Sequence, residues 1–187
     1  QFVVDGTSLA VAEMVSTGTT CAADSYFFPD AVASVFIENK FRGQVCAPVI
    51  QHANAWADSE HEHIQKALAF SDSISGAQLL TSAFAPHSTY SVTEKGFEKI
   101  RDHAADREMP IHLHLHEVRE EVENAVAESG KRPIQRMQEL GLMSPSLQTV
   151  HMTQLLPGEI EMLAENGVHV AHCPESNMKL ASGFCPV

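Results

Sequence analysis

The sequence predicts an α/β fold in which strand–helix units repeat into a parallel-stranded barrel of the TIM, or (β/α)8, type, incomplete over these 187 residues. Three observations predict it. Short apolar strands alternate with helical patterns along the whole chain, and repeated βα units imply a parallel sheet. Polar residues suited to chemistry (Asp24, His87, Glu117, His151 and His172) fall at the carboxyl ends of strands, where barrel enzymes keep their sites. No GxGxxG or Walker-type loop follows any strand, which weighs against an open doubly wound sheet.

The elements follow in order. Asp5 can cap a helix through Ala10 and Met14 that Gly18 stops. Residues 19–23 read as a strand ending at Asp24. Pro29 can open a helix carrying Val32, Val35 and Phe36, and residues 44–50 form the next strand. A polar helix over 57–71 precedes a strand over 78–85. Ser91-Val92-Thr93-Glu94 has the form of a capping box for a helix turning Phe97, Ile100 and Ala104 inward, ended by Pro110. The strand from Ile111 follows, then helices over 117–128 and 133–140, a strand over 147–151, a helix over 158–165 and a strand over 168–172. That makes six strands where a closed barrel has eight, so one strand is expected before Gln1 and one after Val187. Residues 1–187 are therefore expected to be part of one catalytic domain.

Composition narrows the function classes. With 44% hydrophobic residues and 19% charged, the chain can bury a sizeable core. Its net charge of −12, with the 12 basic residues scattered, argues against nucleic acid as a partner. No apolar run is long enough to span a membrane. Cys21, Cys46, Cys173 and Cys185 form no CxxC pair and read as free thiols in a reducing compartment, so a cytoplasmic location is expected.

The chemistry concentrates in Ile111-His112-Leu113-His114-Leu115-His116-Glu117. Period-two alternation puts His112, His114 and His116 on one strand face. Neutral imidazole is the commonest metal ligand. A carboxylate three residues beyond His114 lies beside a metal-bound water whose pKa the metal lowers, and it can shuttle that water's proton. The plain alternative is a histidine-rich strand with Glu117 as a helix N-terminal acid. His112 and His116 read as supporting or core histidines. His151 ends the next strand and would face the same cavity as His114. His87, in Ala85-Pro86-His87-Ser88-Thr89-Tyr90, suits a ligand-facing loop, with a backbone-bonded turn histidine as the other reading. Cys173 next to His172 is badly placed for a nucleophile pair and reads as buried, and Ser176 and Asn177 read as turn residues. The acidic run Glu117, Glu120, Glu121, Glu123 reads as a solvated helix face. Trp56 carries no assignable signal.

These motifs resemble the amidohydrolase superfamily, in particular its 5′-methylthioadenosine/S-adenosylhomocysteine deaminase and chlorohydrolase-like branch. The resemblance is carried by Gly18-Thr19-Thr20-Cys21 through Asp24, by Ala85-Pro86-His87, by His112 to Glu117, by Val150-His151-Met152-Thr153, and by the run from His172-Cys173-Pro174-Glu175-Ser176-Asn177 to Gly183. It implies a (β/α)8 barrel of the metal-dependent hydrolase type with one divalent metal, zinc first and iron or manganese next. It implies His114 as a metal ligand, Glu117 as the proton-shuttling and substrate-contacting acid, His151 as the group that polarises the attacked centre, and His87 as a substrate contact. It further implies a His-x-His pair before Gln1 and an aspartate after Val187, so that this chain alone would be inactive.

The expected function is hydrolytic deamination of an adenine nucleoside such as methylthioadenosine or S-adenosylhomocysteine. A related hydrolase of a purine, pyrimidine or triazine ring is the close alternative, and a non-catalytic fragment or inactive subunit the distant one. The expected partners are a small-molecule substrate and either further copies of the chain, as a homo-oligomer, or a segment that supplies the rest of the barrel.

Overall fold

The computed structural model describes residues 1–186. Its elements run α1 (Phe2–Ser16), β1 (Cys21–Ser25), α2 (Pro29–Glu38), β2 (Arg42–Val49), α3 (Glu60–Ser73), β3 (Leu80–Pro86), α4 (Glu94–Arg107), β4 (Ile111–Leu115), α5 (Arg119–Ser129), α6 (Pro133–Glu139), β5 (Leu147–His151), α7 (Pro157–Glu165), β6 (His169–Ala171) and α8 (Pro174–Lys179). The chain divides into two compact units, residues 1–85 and the part from Pro86 onward.

In the first unit β1, β2 and β3 are neighbours in chain order. β1 and β2 pair in parallel from Cys21↔Arg42 to Ser25↔Cys46. β2 is buried without interruption from Val45 to Val49, as expected of a strand covered on both faces. Pro29 opens α2, where a missing N–H costs nothing, and the helix buries Val32, Val35 and Phe36. Phe36 meets Phe41 edge-on at 5.2 Å. The same ring presses on Gly43, where an added Cβ would stand 2.3 Å from a ring carbon. Glycine at 43 is thus a packing requirement of this helix on this strand. The loop after β2 is fastened by His63, which is fully buried. Its Nδ1–H donates to the Pro48 carbonyl at 2.8 Å, and its Nε2 accepts from the Asn54 amide at 2.8 Å. Asn54 Oδ1 in turn accepts from the backbone of Trp56 and Ala57. Trp56, silent in the sequence, packs edge-on against His63.

In the second unit β4, β5 and β6 are neighbours in chain order and pair in parallel. Leu113 and Leu115 are fully buried together with Phe97, Ile100, Ile134, Met137 and Leu147. Thr93 caps α4 by accepting from Gly96 N at 3.0 Å, two residues later than the Ser91 box predicts. The Ser91 hydroxyl instead accepts from Ser88 N at 3.0 Å, shaping the loop that carries His87. The helix expected from Glu117 starts at Arg119, because residues 116–118 form a turn. An ion pair lies near His116 of that turn, whose Nδ1 is 3.9 Å from Glu159. Arg132 binds the buried Glu159 through both carboxylate oxygens, at 2.5 and 2.9 Å, and also donates to the Gln154 carbonyl.

Candidate active site

The strand ends of the second unit bring together all four residues that sequence reasoning selects. His114 projects from the middle of β4, and its ring stacks on His151 with centroids 5.5 Å apart. His87, just after β3, lies 5.3 Å from His114, ring to ring. Glu117 Oε1 stands 3.4 Å from His151 Nε2.

Each imidazole has a defined orientation. His114 Nδ1–H donates to the His87 carbonyl at 2.8 Å, which leaves Nε2 with its lone pair free. That is the tautomer a metal ligand needs, fixed by the second-sphere bond that metal-binding histidines make. His151 Nδ1–H donates to Asn177 Oδ1 at 2.8 Å, so Nε2 is the nitrogen that faces Glu117. A proton placed on either atom would bridge His151 Nε2 and Glu117 Oε1. Burial lowers the pKa of His87 and of His114, which keeps both rings neutral and available as acceptors.

Backbone strain does part of the aiming. The β4–β5 register sets His151 opposite Leu115 and Val150 opposite His114. Simple alternation would therefore turn His151 to the Leu115 face. Its φ of +77°, rare for a residue with a Cβ, returns the ring to the His114 side.

The same effect corrects the expectation for His116. Its φ of +51° takes it off the face shared by His112 and His114. It is fully buried, with Nε2 accepting from Ile134 N at 3.2 Å and Nδ1 lying 3.9 Å from Glu159. Burial pushes its pKa down to about 4. His112 stays on the His114 face, with the rings 5.9 Å apart, and is likewise buried and pushed down to about 4. Both are core histidines.

Three further expectations change. Cys173 is half-buried, and burial, then the Glu117 charge, raises its pKa, opposite to what a nucleophilic thiol needs. Asn177 is no turn residue: it sits in α8 and, 1% exposed, orients His151. Glu121 is no solvated acid: it is buried, and its carboxylate accepts from the backbone of His116 and Glu117 at 3.1 and 2.7 Å. Asn177 lies 26 residues from its partner, a separation no local pattern carries. The run of Ser176-Asn177 after a strand was the only available sign.

All 187 residues match the amidohydrolase family. The chain belongs to that family. It is 43% identical over its full length to a 5-methylthioadenosine/S-adenosylhomocysteine deaminase of Saccharophagus degradans and 45% identical to one of Teredinibacter turnerae. It spans 42% of the length of each of these curated relatives. Among solved structures, a zinc-bound adenosine deaminase from Xanthomonas campestris superposes with a TM-score of 0.97 at 49% identity, covering 99% of this chain and 42% of that one. The fold is that of the amidohydrolase barrel, here with six strands among the described residues instead of eight. No helix among the described residues is long and apolar enough to cross a membrane.

The family implies a metal, and this amidohydrolase chain meets that requirement in part. His114 offers a correctly oriented Nε2, but no group of three or more His, Cys, Asp or Glu among the described residues could hold an ion. Stable catalytic zinc sites use about three protein ligands.

Proposed function

We propose that the protein carrying this chain deaminates an adenine nucleoside of the methylthioadenosine or S-adenosylhomocysteine type. Water replaces the exocyclic amine on the purine ring, and ammonia leaves. The observation that carries the reading is the His114–His151–Glu117 cluster: two stacked, oriented imidazoles and a carboxylate that meets one of them at 3.4 Å. The deaminase names of relatives more than 40% identical over the whole chain support the substrate class.

In this reading residues 1–187 form part of a barrel catalytic domain, and the remainder of the domain supplies the other metal ligands. His114 contributes one ligand through Nε2, to zinc as the first choice. A bound divalent ion lowers the pKa of a coordinated water toward neutrality. Glu117 accepts the proton of the attacking water and passes it to the leaving amine. His151, held by Asn177 and sharing a proton with Glu117, steadies charge at the attacked carbon. His87, on the loop anchored to His114, contacts the nucleoside.

The test uses the full-length protein with methylthioadenosine. Ammonia release and one zinc per chain are expected. Glu117→Gln should retain the metal and lose about 10²–10⁴-fold in kcat, whereas His114→Ala should lower metal content and turnover together. Normal turnover by the Glu117→Gln protein overturns the assignment.

A further inference from the structure

We infer that Glu121 is a positioning residue that holds the two active-site segments, the turn bearing Glu117 and the loop bearing His87, in one register. This inference rests on the deaminase reading above and deepens it. Three bonds converge on the buried Glu121 carboxylate. Oε1 accepts from His116 N at 3.1 Å and from the Thr89 hydroxyl at 3.4 Å, and Oε2 accepts from Glu117 N at 2.7 Å.

The turn needs such a partner. Because His116 is in the left-handed region, φ +51°, the chain leaves β4 abruptly and α5 does not begin until Arg119. The amides of 116 and 117 thereby point at a buried side chain. A buried amide without an acceptor is costly, so the carboxylate decides whether this turn is stable in the conformation that aims Glu117. An anion is also the best acceptor for paired N–H groups.

The Thr89 contact extends the hold to the second segment. Thr89 lies two residues past His87, and its carbonyl is fixed by Arg136 Nη1 at 2.8 Å. Ser88 bridges to His114, and the His87 carbonyl takes the His114 Nδ1–H. One side chain thus contacts the main chain next to Glu117 and the loop that orients His114. The Glu121 carboxylate is taken up by these three bonds, so it acts through its neighbours.

The experiment compares Glu121→Gln and Glu121→Asp in the full-length protein, with Glu120→Gln as the control for loss of a charge on the same helix. Gln places an amide donor against one backbone N–H. Asp keeps both acceptors on a shorter stem. The two readouts are hydrogen exchange of the 116–118 amides and the separate kcat and KM for methylthioadenosine, with zinc content measured in parallel. For Glu121→Gln, exchange of those amides should be at least about tenfold faster. Its kcat should fall about 10–100-fold, the usual cost of losing an outer-shell partner, with zinc content and KM within about twofold of the parent. Glu121→Asp should fall between Gln and the parent in both readouts, and it stands alone as the test if the Gln protein does not fold. Glu120→Gln should match the parent. Unchanged exchange at 116–118, or equal losses of metal, KM and kcat, overturns the positioning role. A parent without deaminase activity overturns the functional reading instead, and the exchange result then still decides whether Glu121 holds the turn.

Discussion

Replacing Asn177 with leucine isolates the hydrogen bond that sets His151. The two side chains have the same number of heavy atoms and the same branching, so the change removes an acceptor while keeping the side chain's outline. His151 is 6% exposed and Asn177 1% exposed, so no bulk water takes over the 2.8 Å bond. Leaving a buried donor without a partner costs about 1–3 kcal/mol. The ring can avoid that cost by shifting its proton to Nε2 or by rotating away from Glu117. The first escape turns Nε2 from an acceptor into a donor toward Glu117, and the second takes it out of reach of Glu117. If the whole penalty appears in the transition state, kcat falls about 5–150-fold. Asn177→Asp keeps an oxygen at the same place and should retain the proton on Nδ1, with a stronger, charge-assisted bond. The assay is ammonia release by the full-length protein, alongside long-range proton–nitrogen NMR of the histidine rings to read the tautomer directly. A leucine variant with unchanged kcat and the proton still on His151 Nδ1 refutes the orienting role of Asn177.

Acid should weaken the fold through His112 and His116. Both are pushed from 6.5 to about 4 by burial, so the unfolded chain binds more protons between those values. Stability is therefore fully present above about pH 6.5 and is lost as pH falls through about 4, by about 3 kcal/mol for each ring at the acid end. Urea unfolding followed by circular dichroism at pH 7.5 and pH 5 measures this, and a curve flat across that range contradicts it. Gly43→Ala should destabilise by about 1–3 kcal/mol, because the new methyl meets the Phe36 ring at 2.3 Å with no room to yield in a buried core. Thermal unfolding measures it, and trimming the same ring with Phe36→Leu in the Gly43→Ala background should recover part of the loss.

Much of the fold is legible in the sequence because its signals are local. Pro29 at a helix start, the apolar run Val45–Val49 and the polar helix before β3 each state their own conformation within a few residues. Alternation correctly places His112 and His114 on one face, and the carboxyl ends of strands correctly locate where His87, Glu117 and His151 gather. The sequence by itself therefore determined the βα order and the residue types available for chemistry.

Tertiary structure decided which way several of those residues point. His116 and His151 both take positive φ at strand ends, and each departs from the face that alternation assigns, in one case into the core and in the other into the site. Nothing in the local sequence marks this, because the conformation is unfavourable in isolation and persists only through distant partners. Those partners are Glu121 for the 116–117 turn and Asn177 for His151, brought close by the packing of α5 and α8 on the strand ends. Side chains that look like a solvated acid and a turn amide become the fixed points of the site, because burial makes their few hydrogen bonds indispensable.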